Sequence, residues 1–267
     1  MPDDAAATRE HLLAVVERSP AAAAAHERAG WVDLFTGDGV VEDPVGSLPH
    51  RGPRALERFY DTFIGPRDIT FHRDTDLVVG STVVRDLELE VSMSAALTMR
   101  IPAYLRYDVD VEQSKIARLQ AHWELPAMVL QFARAGGAAV PAGLALTGAL
   151  LSNQRLRGTA GFLSGFRGVG NRGKRHVVGL LDDALAGDEV AVRRRMADTA
   201  VLTLGDDRRL GTSELVSRLR GGRWQKALAA GGTVAVGFEQ GGVRGVLIAE
   251  LRARPTAITR LRLFTED

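Results

Sequence analysis

Val41-Glu42-Asp43-Pro44-Val45-Gly46-Ser47 sets a carboxylate among apolar residues immediately before a proline. The residues just behind it, Gly39-Val40-Val41, read as a strand, and Pro44 with Gly46 reads as the turn that ends it. An aspartate at such a strand end has two readings. In a solvated turn it accepts hydrogen bonds from its own backbone. Facing an apolar cavity it loses water, which disfavours the charged form and raises its pKa toward that of a useful base.

The chain on either side supplies a frame for this turn. Thr8 is placed to cap a helix running to about Arg18, with Leu12, Leu13, Val15 and Val16 on its apolar side. A second helix, through about Phe35, carries Trp31, Leu34 and Phe35. Pro53 to Phe63 reads as a third, with proline in its first turn and an apolar stripe of Leu56, Phe59, Tyr60 and Phe63. Strand-like runs follow at 69–71, 77–84, 87–94, 97–111 and 115–123. Three helices and then a long antiparallel meander predict an α+β domain whose curved sheet wraps the helices into a cone.

Past Leu125 the character changes. Residues 126–151 are almost wholly apolar, with Gln131 and Arg134 the main exceptions, and are rich in Ala and Gly. The length would suffice for a transmembrane helix, but two helices broken near Gly136 to Pro141 explain it equally well, and the weak hydrophobicity predicts no stable membrane insertion. Residues 155–175 mix Gly with Arg157, Arg167, Arg172, Lys174 and Arg175 and read as a solvated linker. Gly168-Val169-Gly170-Asn171-Arg172-Gly173-Lys174 meets a glycine-rich nucleotide pattern only on paper. Arg175 stands where a phosphate loop needs Ser or Thr, and no strand-like run precedes the dinucleotide pattern. From 177 the order of features repeats: Met196 to Leu204 lies over Phe35 to Asp43, and Gly211-Thr212-Ser213-Glu214-Leu215 over Gly52-Pro53-Arg54-Ala55-Leu56. Three strand candidates close it, at 233–240, 243–253 and 257–264. The expected organisation is a first domain at 1–125, an apolar then Gly/Arg-rich linker at 126–176, and a shorter second cone at 177–267. Leu204 occupies the place of Asp43 there, so no equivalent base is expected.

Composition narrows the classes. The 267 residues can bury one large core or two small ones, and cysteine is absent, which removes disulfides and thiolate metal sites and suits a reducing cytoplasm. The acidic N-terminus, Met1-Pro2-Asp3-Asp4, is the wrong opening for a secretory signal. A formal charge of +1 gives no overall pull toward nucleic acid. Six histidines are scattered without ligand spacing, and no Gly-x-Ser-x-Gly string is present.

The stretch from Val15-Val16-Glu17-Arg18 through Gly30-Trp31-Val32-Asp33-Leu34-Phe35, the Val41 to Ser47 string, Pro49-His50-Arg51-Gly52, Ala55-Leu56 and Phe59-Tyr60 resembles the bacterial ketosteroid isomerases of the nuclear transport factor 2-like superfamily. The resemblance covers roughly Thr8 to Leu125. It implies that Asp43 is the general base, removing a proton from carbon 4 of a 3-oxo steroid and returning it to carbon 6, with no cofactor. It implies hydrogen-bond donors to the dienolate oxygen as well. The chain departs from the family there, with Ser19 in the place of a tyrosine and Tyr104 in that of an aspartic acid. Tyr60, Trp123, Phe35 and Phe59 are the implied substrate-binding residues. The expected partner is a hydrophobic small molecule, a steroid. The resemblance also implies sheet-to-sheet pairing, as a homodimer or between the two domains of one chain. A non-catalytic steroid- or lipid-binding protein, a polyketide cyclase and an epoxide hydrolase are the other activities such a domain supports. An epoxide hydrolase would need an Asp, Arg and Asp set around a water, which is not evident beside Asp43.

Overall fold

The computed structural model describes residues 2–138 and 168–266, with the single positions 143, 148 and 152. The described residues before 139, apart from 77–80, form one compact unit; those from 168 onward, with 77–80, form another.

The first unit opens with helix α1 (Pro2–Ala24) and helix α2 (Arg28–Asp33). Leu12, Val15, Val16, Ser19, Ala22 and Ala23 are buried at helical spacing, so the apolar face of α1 continues beyond Pro20 and the helix outruns its expected end at Arg18. Helix α2 stops sooner than expected. Strand β1 (Phe35–Glu42) begins at Phe35, whose ring is drawn into an aromatic cluster with Trp31, their centroids 4.8 Å apart. Then come β2 (His50–Arg51) and α3 (Pro53–Phe59), which continues as a π turn over Tyr60–Ile64.

Strands β3 (Asp68–Val79), β4 (Thr82–Ser94), β5 (Leu97–Asp110) and β6 (Lys115–His122) complete a six-stranded sheet of order β2-β1-β6-β5-β4-β3. The run 77–84, expected as a single strand, is two: Gly80 at φ 59° turns the chain over between β3 and β4, a conformation that costs glycine nothing. The sheet is mixed, because β1 joins β6 in parallel while β4, β5 and β6 are antiparallel. Helix α1 lies against β4, β5 and β6, and α3 against β1 and β2. Helix α4 (Leu125–Arg134) packs on β5, Met128 and Phe132 meeting the buried Leu97 and Met99. The apolar run from 139 to 151, apart from 143 and 148, and the Arg-containing segment as far as Arg167 lie outside the described residues. Among the described residues no helix is long and apolar enough to cross a membrane.

The second unit repeats this plan with α5 (Gly170–Ala186), α6 (Glu189–Arg194), β7 (Met196–Leu204), β8 (Arg208–Arg209), α7 (Thr212–Leu219), β9 (Arg223–Ala230), β10 (Thr233–Gln240), β11 (Val243–Ala253) and β12 (Thr256–Thr265). Its sheet order, β8-β7-β12-β11-β10-β9, is that of the first unit. Residues Gly170 to Lys174 of the glycine-rich string form the start of α5. Helix α5 ends at Gly187, φ 84°, and Asp188 starts α6 by accepting from the Ala191 amide at 2.9 Å, a left-handed C-cap followed directly by an N-cap. Strand β9 had no strand-like run to announce it: Arg-Trp-Gln-Lys-Ala-Leu-Ala-Ala is half polar because it forms the sheet edge. Both units are α+β and have the layout of nuclear transport factor 2-like domains, a helix layer against a mixed six-stranded sheet.

Candidate active site

Asp43 follows the last residue of β1, and strand alternation puts it on the face of Val41, which is fully buried. Glu42 points the other way and makes the turn's bonds, accepting from the Gly46 amide at 3.1 Å and from Gln120 Nε2 at 2.9 Å. The turn itself is fixed by the Val45 amide on the Ala121 carbonyl, 2.9 Å, the Ser47 amide on the Pro44 carbonyl, 3.0 Å, and Gly46 at φ 94°. The capping carboxylate is therefore Glu42, which leaves Asp43 turned to the interior.

Its partner there is Trp123, just beyond β6, whose indole Nε1 donates to Asp43 Oδ1 at 2.5 Å. Burial pushes the Asp43 carboxyl up, the indole bond pulls it down, and burial prevails, leaving a pKa of about 6. Asp43, Trp123 and Arg67 are the polar lining residues described around a cavity of about 110 Å³ that is partly open to solvent. Ile69, Leu89, Val91, Met93 and Ile101 form its sheet wall, and Phe63 and Met128 the rest of the apolar lining, so α4 contributes to it. A lining of this polarity suits an apolar ligand with few hydrogen-bonding groups.

The other residues singled out in the sequence are elsewhere. Tyr104 is buried on β5, opposite Asp86 and His122; Ile101, three positions away on the same strand, lines the cavity, so Tyr104 stands on the opposite face of the sheet. Ser19 is buried in α1, where its Oγ accepts from Trp31 Nε1 at 3.2 Å and shares a hydrogen bond with the Tyr107 hydroxyl. Tyr107, whose pKa burial pushes to about 12, is thus engaged in the core. Phe35 and Phe59 sandwich Trp31, at 4.8 and 5.8 Å between centroids, in the helix layer. Tyr60 leans on Trp31 at 5.7 Å; its buried hydroxyl has no hydrogen-bond partner among the described residues, and burial, then Asp61 and Glu27, raise its pKa. None of Tyr104, Ser19, Tyr107, Phe35, Phe59 and Tyr60 is among the described lining residues of the cavity.

Two features escaped sequence reading. Arg67 lies in the Gly65-Pro66-Arg67-Asp68 turn between the π turn and β3, where an arginine ordinarily signals only solvent. The alternation Leu89-Glu90-Val91-Ser92-Met93 does announce a one-sided apolar wall. A second charge cluster does not line the cavity. There Arg85 binds Asp76 through Nε and Nη2, at 2.7 and 3.0 Å, and Glu17 through Nη2, at 2.7 Å.

Solved structures similar to part of this chain include three from mycobacteria. The Delta 5-3-ketosteroid isomerase from Mycobacterium sp. is 28% identical, with 44% of this chain and 96% of that one covered and a TM-score of 0.42. A Mycobacterium tuberculosis protein in complex with estradiol-17beta-hemisuccinate is 23% identical, covering 43% and 95%, TM-score 0.41. An LEH-like epoxide hydrolase of M. tuberculosis is 17% identical, covering 49% and 96%, TM-score 0.43. The stretch 16–119, which contains Asp43 and Arg67 and stops just short of Trp123, matches the family model of the SnoaL-like domain and is a domain of that kind, within the nuclear transport factor 2-like group.

Proposed function

We propose that the first unit is a ketosteroid isomerase that moves the double bond of a 3-oxo steroid from the 5,6 to the conjugated 4,5 position. The observation that carries this reading is Asp43: a carboxylate facing an apolar cavity, aimed by an indole N–H and poised at a pKa of about 6. The ionised carboxylate takes the proton from carbon 4, the C–H pair becomes part of the dienolate, and negative charge collects on the 3-oxygen. Return of the same proton to carbon 6 restores the carboxylate and leaves the conjugated ketone. No redox partner or cofactor enters this balance.

The base has the environment the reaction needs. The acid does not come from the expected residues, since Tyr104 faces away and Ser19 is bound to Trp31 and Tyr107. That placement favours, as the second reading, a binding protein for the same apolar ligands. Epoxide hydrolysis gains nothing from Arg85, Asp76 and Glu17, which satisfy one another away from the described lining.

Ultraviolet monitoring of enone formation from a 3-oxo steroid with an isolated 5,6 double bond decides between the two readings. Turnover is expected with the wild-type chain and is expected to be lost in Asp43→Asn, with steroid binding retained. Near wild-type turnover in Asp43→Asn would remove Asp43 from the mechanism; tight binding with no turnover in the wild type would leave only the carrier.

A further inference from the structure

Arg67 is only 9% exposed, lines the same cavity as Asp43, and is paired with no carboxylate among the described residues. Its Nη1 donates to the Thr62 carbonyl at 2.6 Å and to the Phe63 carbonyl at 3.0 Å. A guanidinium carries five N–H donors. The two on Nη1 are thereby used, and the three on Nε and Nη2 have no described protein acceptor. Burial lowers the pKa of Arg67, but a guanidinium stays charged at neutral pH. The chain therefore holds a cation in an apolar cavity, anchored on one side by the carbonyls of the π turn. Taking a charge out of water is unfavourable when it lacks a counter-charge. A ligand oxygen that acquires negative charge would supply one.

We propose that Arg67 is the oxyanion-binding residue of this site, donating from Nε and Nη2 to the enolate oxygen that forms as Asp43 takes the proton. The inference rests on the reading of Asp43 as the base. Before proton transfer the cavity holds a carboxylate and a guanidinium; afterwards it holds a neutral carboxylic acid, an enolate and the same guanidinium. Its net charge never changes. Only the position of the negative charge moves, and a fixed cation on the wall of an apolar cavity favours the end state more than the same cation would in water. The ligand class follows: a largely apolar ring system with a single carbonyl or hydroxyl oxygen able to become an anion, seated so that its acidic carbon meets Asp43.

The test uses the full-length chain and two independent readouts. The first is 2-naphthol, whose anion absorbs and fluoresces differently from its neutral form, bound to Asp43→Asn; the amide mimics the base after it has taken its proton. Naphthol is expected to bind there as its anion at a pH where free naphthol is neutral. Adding Arg67→Met should return the bound probe to the neutral form, and Arg67→Lys should restore part of the anion, which separates loss of charge from loss of fold. The second readout is steroid turnover, where Arg67→Met alone is expected to lower kcat by about a hundred- to a thousandfold with a much smaller change in KM. Equal naphthol ionisation with and without Arg67, or no anion bound in Asp43→Asn, overturns the assignment. Unchanged kcat in Arg67→Met also overturns it while leaving Asp43 as base. An Arg67-dependent anion in a chain that turns over no steroid would uphold Arg67 and defeat the isomerase reading.

Discussion

At the scale of the residue, the chemistry rests on one carboxyl group and one indole. Asp43 must be ionised to accept a proton, so kcat/KM is expected to rise with pH and level off above a midpoint near the pKa of about 6. The Trp123 bond stabilises the charged form. Trp123→Phe removes it and leaves the burial, so the midpoint should move to higher pH, and a profile that stays put would mean that the indole has no part in tuning the base. The same shift has a sign for stability. The folded-state pKa lies above the ordinary aspartate value of 3.8, so folding favours the protonated form, and the cost of ionised Asp43 builds from about pH 4 to pH 6 and is complete above that. Asp43→Asn should accordingly be more stable than wild type at pH 7 to 8, by up to about 3 kcal/mol, and should lose that advantage near pH 4. Urea titrations at the two pH values measure it; a variant less stable than wild type at pH 8 contradicts burial as the cause. The sequence made Asp43 legible because Val, Pro and Gly mark a strand end so plainly. It left open whether Asp43 would cap its own turn or face a cavity, since that depends on the parity of β1 against β6.

At the scale of the element, register decides what a side chain can reach. Tyr104 and Ile101 differ by an odd number of positions on β5, so one faces the cavity and the other cannot, and a slip of one residue in a remote alignment exchanges the two faces. The π turn acts similarly on the third helix. It breaks the α-helical spacing after Phe59, leaving Tyr60 with Trp31 while Phe63 reaches the cavity and Arg67 is tethered to the carbonyls of Thr62 and Phe63. Neither event has a sequence signature as strong as an apolar stripe. The elements are also tied by charge: Arg85 on β4, with a side chain 2% exposed, binds Asp76 on β3 and Glu17 on α1. Arg85→Met should cost about 3 kcal/mol, because it leaves the buried Asp76 carboxylate with only the exposed Arg73, 3.3 Å away, and adding Asp76→Leu should recover most of that loss. If the double variant is no more stable than the single one in urea, the two residues are not acting as a pair.

At the scale of the molecule, the chain carries the same layout twice and the candidate site once. In both units the first strand joins the last in parallel with the same interruption. Phe35 pairs with Ile116 and Val40 with Arg118; Met196 pairs with Ile258 and Val201 with Arg260. That correspondence puts Leu204 at the position of Asp43 and Thr265 at that of Trp123, so both halves of the hydrogen-bonded pair are replaced. The repeat was readable in advance because Met196 to Leu204 superposes on Phe35 to Asp43 without a gap, whereas β9 was not, its polar edge sequence giving no apolar alternation. Leu204 packs against the second unit's hydrophobic core, so an apolar side chain there contributes packing where the first unit keeps a cavity. One steroid should therefore bind per chain. Equilibrium dialysis of the full-length protein is expected to saturate at a single equivalent, and Asp43→Asn should show no residual isomerisation from the rest of the chain. Two equivalents of comparable affinity would assign the second unit a binding function of its own. Leu204→Asp extends the test: with no indole at position 265 to hold the new carboxylate, it should lower the melting temperature and add neither a second binding equivalent nor any turnover. Isomerase activity in Leu204→Asp combined with Asp43→Asn would show that a base alone suffices in this layout, and that the indole and guanidinium of the first unit are dispensable.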